Sequence, residues 1–291
     1  MSGAATNRLV RDGFELFVLS NSHVELSVTP ALGAKVVSLR NLRSGREWLW
    51  HPASGLKLFR SQPGEDFSGS TLVGWDECVP TIAPCTWKGR ALPDHGEAWN
   101  LAWDMDSGAW GRGVLKTSVR LPISGFHVTR ALKLSGPAIN VEYVIENPTP
   151  LAQEFLWAAH PLLALHEGDQ LELTEEARRL LHDDSCLNSL QFKEGSPACA
   201  KLYAGPLRQG RAGVFNPRTG DRLTFEWDTA DCDTLGVWLT RGGWHGHHHL
   251  ALEPTNGADD SLALAATEQR RCGVVPPRGK KTWCIQLRLE P

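Results

Sequence analysis

The chain has 291 residues, of which 41% are hydrophobic and 22% charged, enough apolar content for one sizeable buried core. A formal net charge of −3 gives no electrostatic reason to expect nucleic acid or an anionic membrane as partner. No stretch approaches the roughly 20 apolar residues of a membrane helix, and the opening MSGAATNRLVRDGFELF has Arg8 and Arg11 with no apolar run behind them, so no secretory signal is expected.

In chain order, residues 14–19 (FELFVL) and 23–30 (HVELSVTP) mix alternation with β-branched residues and are predicted strands. Residues 37–50 are predicted to form a hairpin that turns at Ser44-Gly45. Residues 54–92 form no regular pattern and are predicted to be a long loop, a kind of segment that often carries function. Strands are predicted over 113–121, 126–134, 139–147, 169–173, 222–227, 234–240, 247–254 and 282–290, separated by turn signals such as SGP, NPT, NPRTG and PPRGK. The one predicted helix runs from Thr174 to Ser185, with Thr174 as N-cap and acids in its first turn. Many short strands, one helix and frequent turns predict an all-β sandwich or barrel, not a parallel βαβ fold, forming a single domain over residues 1–291. The seven cysteines, Cys78, Cys85, Cys186, Cys199, Cys232, Cys272 and Cys284, are scattered and make no C-x-x-C pair; that argues against a disulfide framework and for a reducing cytoplasm.

Four stretches carry chemistry-bearing residues. In GWHGHHHLALEP (243–254), a strand places His245, His247, His249 and Glu253 on one face, with Leu250 and Leu252 on the other. H-x-H pairs on a strand suit zinc, which needs three or four converging ligands. No further ligand is evident nearby, so the histidines are expected to form a loop rim with no metal. In LPDHGEAW (92–99), a Pro-Asp turn presents His95, followed by Glu97 and Trp99. In FLWAAHPLLALH (155–166), His160 precedes Pro161, which is expected to confine this point to an edge, a bulge or a strand end. In VGWDECVPTIAP (73–84), Asp76 and Glu77 are adjacent and point to opposite sides, one of them offering a carboxylate to ligand hydroxyls. Among 12 tryptophans, Trp75, Trp87 and Trp157 are candidates for stacking on a sugar ring, against the alternative of core filling.

Taken in order, VELSVTPALGAKVVSLRNLRSGREWLW, LPDHGEAWNLAW, FLWAAHPLLAL and LALEPTNGADDSL resemble successive segments of the aldose 1-epimerase (galactose mutarotase-like) superfamily over nearly the whole chain. The resemblance implies a large antiparallel β-sandwich (a galactose mutarotase-like supersandwich) with one or two short helices and a sugar lying across its concave face. It implies His160 as general acid, Glu253 as general base and His95 as supporting histidine, with no cofactor. The expected partner is a small aldose, and the chain is expected to be a monomer or homodimer.

Where that family carries a sugar-binding Arg, this chain has Asp76 or Glu77, with Lys88 or Arg90 as substitutes; Asp231 and Asp233 are candidates for a further sugar-binding acid. Glu97 follows the His-Gly pair where the hexose-6-phosphate epimerase branch has an apolar residue, which favours a neutral sugar over a phosphorylated one. The expected substrate-binding set is thus Asp76, Glu77, Trp157, Trp75 and Glu97. Competing readings are a sugar-binding protein without turnover, a hexose-6-phosphate 1-epimerase-like enzyme, and a metal-dependent sugar enzyme using His245, His247 and His249.

Overall fold

Alternating apolar residues pair most of the chain into two large antiparallel sheets. The computed structural model describes residues 4–62, 64–181, 198–269 and 271–291. One sheet has nine strands in the spatial order Ala5–Arg11, Phe14–Ser20, Val24–Thr29, Lys35–Asn41, Trp75–Cys78, Ala158–Leu163, His248–Thr255, Thr234–Arg241 and Ala198–Ala204. The other has eight, in the order Gln170–Leu173, Gly210–Phe215, Arg222–Trp227, Lys280–Glu290, Ala138–Glu146, His127–Ser135, Val114–Arg120 and Asp104–Met105. The sandwich expectation holds.

Period-two alternation sets the faces. Leu250 and Leu252 enter a buried apolar cluster to which both sheets contribute, together with Val128, Val141, Phe225 and Ile285. His249, Ala251 and Glu253 therefore occupy the opposite face of the nine-stranded sheet. A polar network lies inside that core. Arg130, from the eight-stranded sheet, donates from Nη1 to Glu77 Oε1 at 2.8 Å, Tyr143 Oη donates to the same oxygen at 2.9 Å, and Trp157 Nε1 donates to Oε2 at 2.8 Å. Burial raises the Glu77 pKa, and these three donors only partly offset it.

Several expectations are corrected. The predicted loop over 54–92 contains the strand Trp75–Cys78, which crosses the middle of the nine-stranded sheet. It read as a loop because adjacent acids look solvated; here Asp76 pairs with Lys35 and Glu77 with Arg130, partners 41 and 53 residues away. The exposed strand Ala5–Arg11 and the strands Ala198–Ala204 and Gly210–Phe215 went unpredicted. The hairpin does turn at Gly45 (φ +78°), but beyond it only an isolated bridge, Arg40 to Glu47, continues the pairing. The helix is Glu175–Leu180, and the Thr174 hydroxyl accepts from Ala177 N at 3.1 Å; residues 182–185 of the predicted span, and Cys186, lie outside the described residues. The six described cysteines are free, and no described helix is long and apolar enough to cross a membrane.

Candidate active site

His160 lies in a central strand. Ala158–Leu163 sits between Trp75–Cys78 and His248–Thr255, not at an edge, which corrects the reading of Pro161. The proline is tolerated because the ladder towards His248–Thr255 skips residues 159–161, resuming at Leu162 opposite Ala251. Its missing N–H falls where no ladder bond is needed. The register on either side of this gap sets His160 opposite Glu253, and His160 Nδ1 lies 3.0 Å from Glu253 Oε1.

The row continues across the sheet. Glu253 faces Gly236, and Gly236 faces Tyr203 on the strand Ala198–Ala204. A Cβ on Gly236 would lie 3.1 Å from Glu253 Oε2 and 3.2 Å from Tyr203 Cε1, so glycine leaves the room these side chains use. Two residues along, Lys201 stands beside Trp238, and its Nζ donates to Glu253 Oε2. The same Nζ is 3.8 Å from Asp260 Oδ1, which also accepts from Tyr203 Oη.

A cavity of about 330 Å³ opens over this row, lined among others by His95, His160, Lys201, Trp238, His249 and Asp260. Glu253 does not line it. Its side chain is fully buried, with Oε1 on His160 and Oε2 on Lys201. Burial alone would raise its pKa, but Lys201 and His160 outweigh that and hold it at about 2.

His95 enters from a turn, at φ +56°, followed by Gly96 at φ +72°. A Cβ at Gly96 would sit 2.2 Å from Val79 O, so only glycine fits there. The His95 ring stacks on Phe67 with centroids 4.0 Å apart and lies 5.2 Å from the His160 ring. Its Nδ1 is 2.8 Å from Asp94 Oδ1. Burial lowers the His95 pKa despite this carboxylate. On the opposite wall, Trp238 Nε1 donates to His249 Nε2 at 3.2 Å, which requires a lone pair on that nitrogen. Burial, with His160 and His247 nearby, lowers the His249 pKa to about 3, so the ring is neutral.

The structure thus brings His95, His160 and Glu253 together. It does not bring in the rest of the predicted set. Asp76 stands beside His160 in register but is buried on Lys35, whose Nζ also donates to Thr71 O at 2.8 Å and Val73 O at 3.2 Å. Glu77, Trp75 and Trp157 point the other way, into the core between the sheets, so neither tryptophan is available to stack on a ligand. Glu97 accepts from Ile123 N at 2.5 Å and Ser124 N at 3.0 Å, holding a turn. Trp87, Lys88 and Arg90 line a different cavity of about 260 Å³. Asp233 pairs with Arg271 at 2.8 Å, and Asp231 lies 3.9 Å from Lys281.

His245 is in the turn before the strand, at φ +49°, so it does not share the strand face of His249 as expected. Among the described residues no group of three or more His, Cys, Asp or Glu is placed to hold a metal ion. Sequence reasoning missed Lys201, Asp260, Phe67, Asp94, Trp238 and Trp244. The signal available for the first was the spacing of Lys201 and Tyr203 about Leu202 in AKLYA.

No model of a known protein family and no curated protein matches the chain by sequence. Solved structures do match by shape. A galactose mutarotase-like protein of Clostridium acetobutylicum superposes with a TM-score of 0.72 at 12% identity, over 99% of this chain and 99% of that one. The chain has the galactose mutarotase-like fold. The Slr1438 protein of Synechocystis sp. PCC 6803 shares the mutarotase-like fold at 19% identity and a TM-score of 0.70, over 98% of this chain and 96% of that one. A candidate aldose 1-epimerase of Escherichia coli K12 does so at 16% identity and a TM-score of 0.67, over 94% of this chain and 98% of that one. At these identities the likeness concerns the mutarotase-like fold, and the chemistry rests on the residues of the cavity.

Proposed function

We propose that this protein is a cofactor-independent aldose 1-epimerase that interconverts the α and β anomers of a free neutral sugar. The observation that carries this reading is the side-by-side placement of His160, which lines a sugar-sized cavity, and Glu253, a carboxylate buried directly behind it. Glu253 takes the proton from the C1 hydroxyl. The O–H electrons become the C1=O1 double bond, the C1–O5 pair moves to the ring oxygen, and His160 Nε2 protonates it. The C1–C2 bond rotates, and the ring recloses with roles reversed. His160 Nδ1–H stays on Glu253 Oε1, so Nε2, which bonds no described residue, is the nitrogen that serves the sugar. The acid and the base are in direct contact in the resting site.

The charge balance of the cavity supports a neutral substrate. Lys201 is the one Lys or Arg among the described residues lining it, and it is engaged by Glu253 and Asp260, which leaves no free Lys or Arg side chain among them for a phosphate. The burial of Glu253 favours one second reading, an aldose-binding protein without turnover. Anomer exchange measured by NMR saturation transfer on glucose, galactose and glucose-6-phosphate separates the two. Acceleration on a neutral sugar that drops about 100-fold or more in both Glu253→Gln and His160→Gln is the expected result. No acceleration by the wild type on any of these sugars rejects the epimerase.

A further inference from the structure

A base must touch the proton it removes, yet Glu253 is closed off from the cavity by the two side chains that bind it. His160 is needed where it is. Lys201 is the side chain on the other carboxylate oxygen, Oε2. We propose that Lys201 is a positioning residue that covers Glu253 Oε2 in the empty site and shifts to Asp260 when a sugar enters, uncovering the base. The inference rests on the epimerase reading above.

The geometry supplies both ends of the movement. Lys201 Nζ contacts Oε2 and is already 3.8 Å from Asp260 Oδ1, so a shift of about 1 Å completes a hydrogen bond to the second carboxylate. Asp260 is held in place by Tyr203 Oη. Gly236 adds no side chain across the path. Lys201 lines the cavity, with 19% of its side chain exposed, so an incoming hydroxyl can reach it. The shift also changes the chemistry of Glu253. Lys201 is the strongest influence lowering its proton affinity, and moving that cation away raises the affinity at the moment a base is needed. The other groups near Glu253 are His160 on Oε1, Tyr203 from the edge strand and Cys78 from the strand beyond His160, where Asp76 stands opposite His160 and is paired with Lys35. None of these is a second cation of the lysine type.

The test compares wild type, Lys201→Met, Lys201→Arg and Asp260→Asn, using polarimetry of freshly dissolved α-D-glucose and α-D-galactose from about pH 3.5 to 7. Glu253 at about 2 puts the wild-type acid limb below this window; in Lys201→Met an acid limb of kcat/KM should rise into it, and Lys201→Arg should return it below the window. In Asp260→Asn kcat should fall about tenfold with no acid limb of kcat/KM entering the window. No acid limb within the window in Lys201→Met, or an unchanged kcat in Asp260→Asn, overturns the proposal. A readout independent of turnover is the carboxyl ¹³C titration of Glu253, assigned by its loss in Glu253→Gln. Its midpoint should rise in Lys201→Met; coincident midpoints overturn the proposal even if neither sugar is turned over. Wild type that accelerates neither sugar rejects the epimerase reading, and the carboxyl titration still decides whether Lys201 controls Glu253.

Discussion

Glu77 and Glu253 are both buried carboxylates on the same sheet, and their partners set them apart. Glu253 contacts Lys201 and His160 beside a cavity and is held at about 2. Glu77 sits between the sheets, where burial outweighs Arg130, Tyr143 and Trp157 and raises its pKa. In the proposed mechanism the first is the base; the second joins the sheets. Removing one partner of a fully buried ion pair leaves the other charge uncompensated. Arg130→Met should therefore lower stability by about 3–5 kcal/mol, read as a shift of the urea midpoint. A midpoint within experimental error of wild type would show that Glu77 is neutral and the pair unimportant. The sequence reading that Asp76 and Glu77 face opposite sides was right, since alternation alone decides it. What each faces was not legible, because Lys35 and Arg130 reach them only through the fold.

The strand His248–Thr255 carries most of what was readable in advance. Its alternation separates Leu250 and Leu252 from Glu253, as expected, and places His249 on the cavity side. His249 also makes a prediction about pH. Its ordinary value of 6.5 is lowered to about 3 by burial, so the folded state excludes a proton that the unfolded chain accepts. A depressed folded pKa gives stability that is present above the unfolded value and lost as pH falls. The loss begins below about pH 6.5 and reaches about 2 kcal/mol by pH 5. Glu253 adds its own loss only below about pH 4.5, its ordinary carboxyl value. His95 and His247 are shifted in the same direction as His249, so the comparison is with a variant. The melting temperature of His249→Gln should fall less between pH 7 and about 5 than that of wild type. Parallel curves would assign the loss elsewhere.

Across the whole molecule, one apolar cluster draws on both sheets, and the Arg130–Glu77 pair bridges them at the centre. The cluster between the sheets is thus built jointly by both. This underlies the expectation of a single domain over 1–291, and it has a measurable consequence. Tryptophan fluorescence, dominated by core residues such as Trp75, Trp157 and Trp283, and far-UV circular dichroism should report coincident unfolding transitions in urea. Separated transitions would mean that the sheets unfold independently. The likeness to mutarotase-like structures belongs to this scale as well. At 12–19% identity it is carried by strand order and sheet packing.

Local spacing by itself determined the all-β class, most strand positions, the Thr174 cap, and the order of His95, His160 and Glu253 along the chain. Those properties depend on alternation, turn chemistry and capping, which act over a few residues. Only the tertiary structure decided which acids face the cavity, that Pro161 lies in a central strand at a gap in its ladder, and that Lys201 covers Glu253. Each of these depends on partners tens of residues away being brought into register. A buried charge is recognisable only when its counter-charge is in view, and no local pattern encodes that pairing.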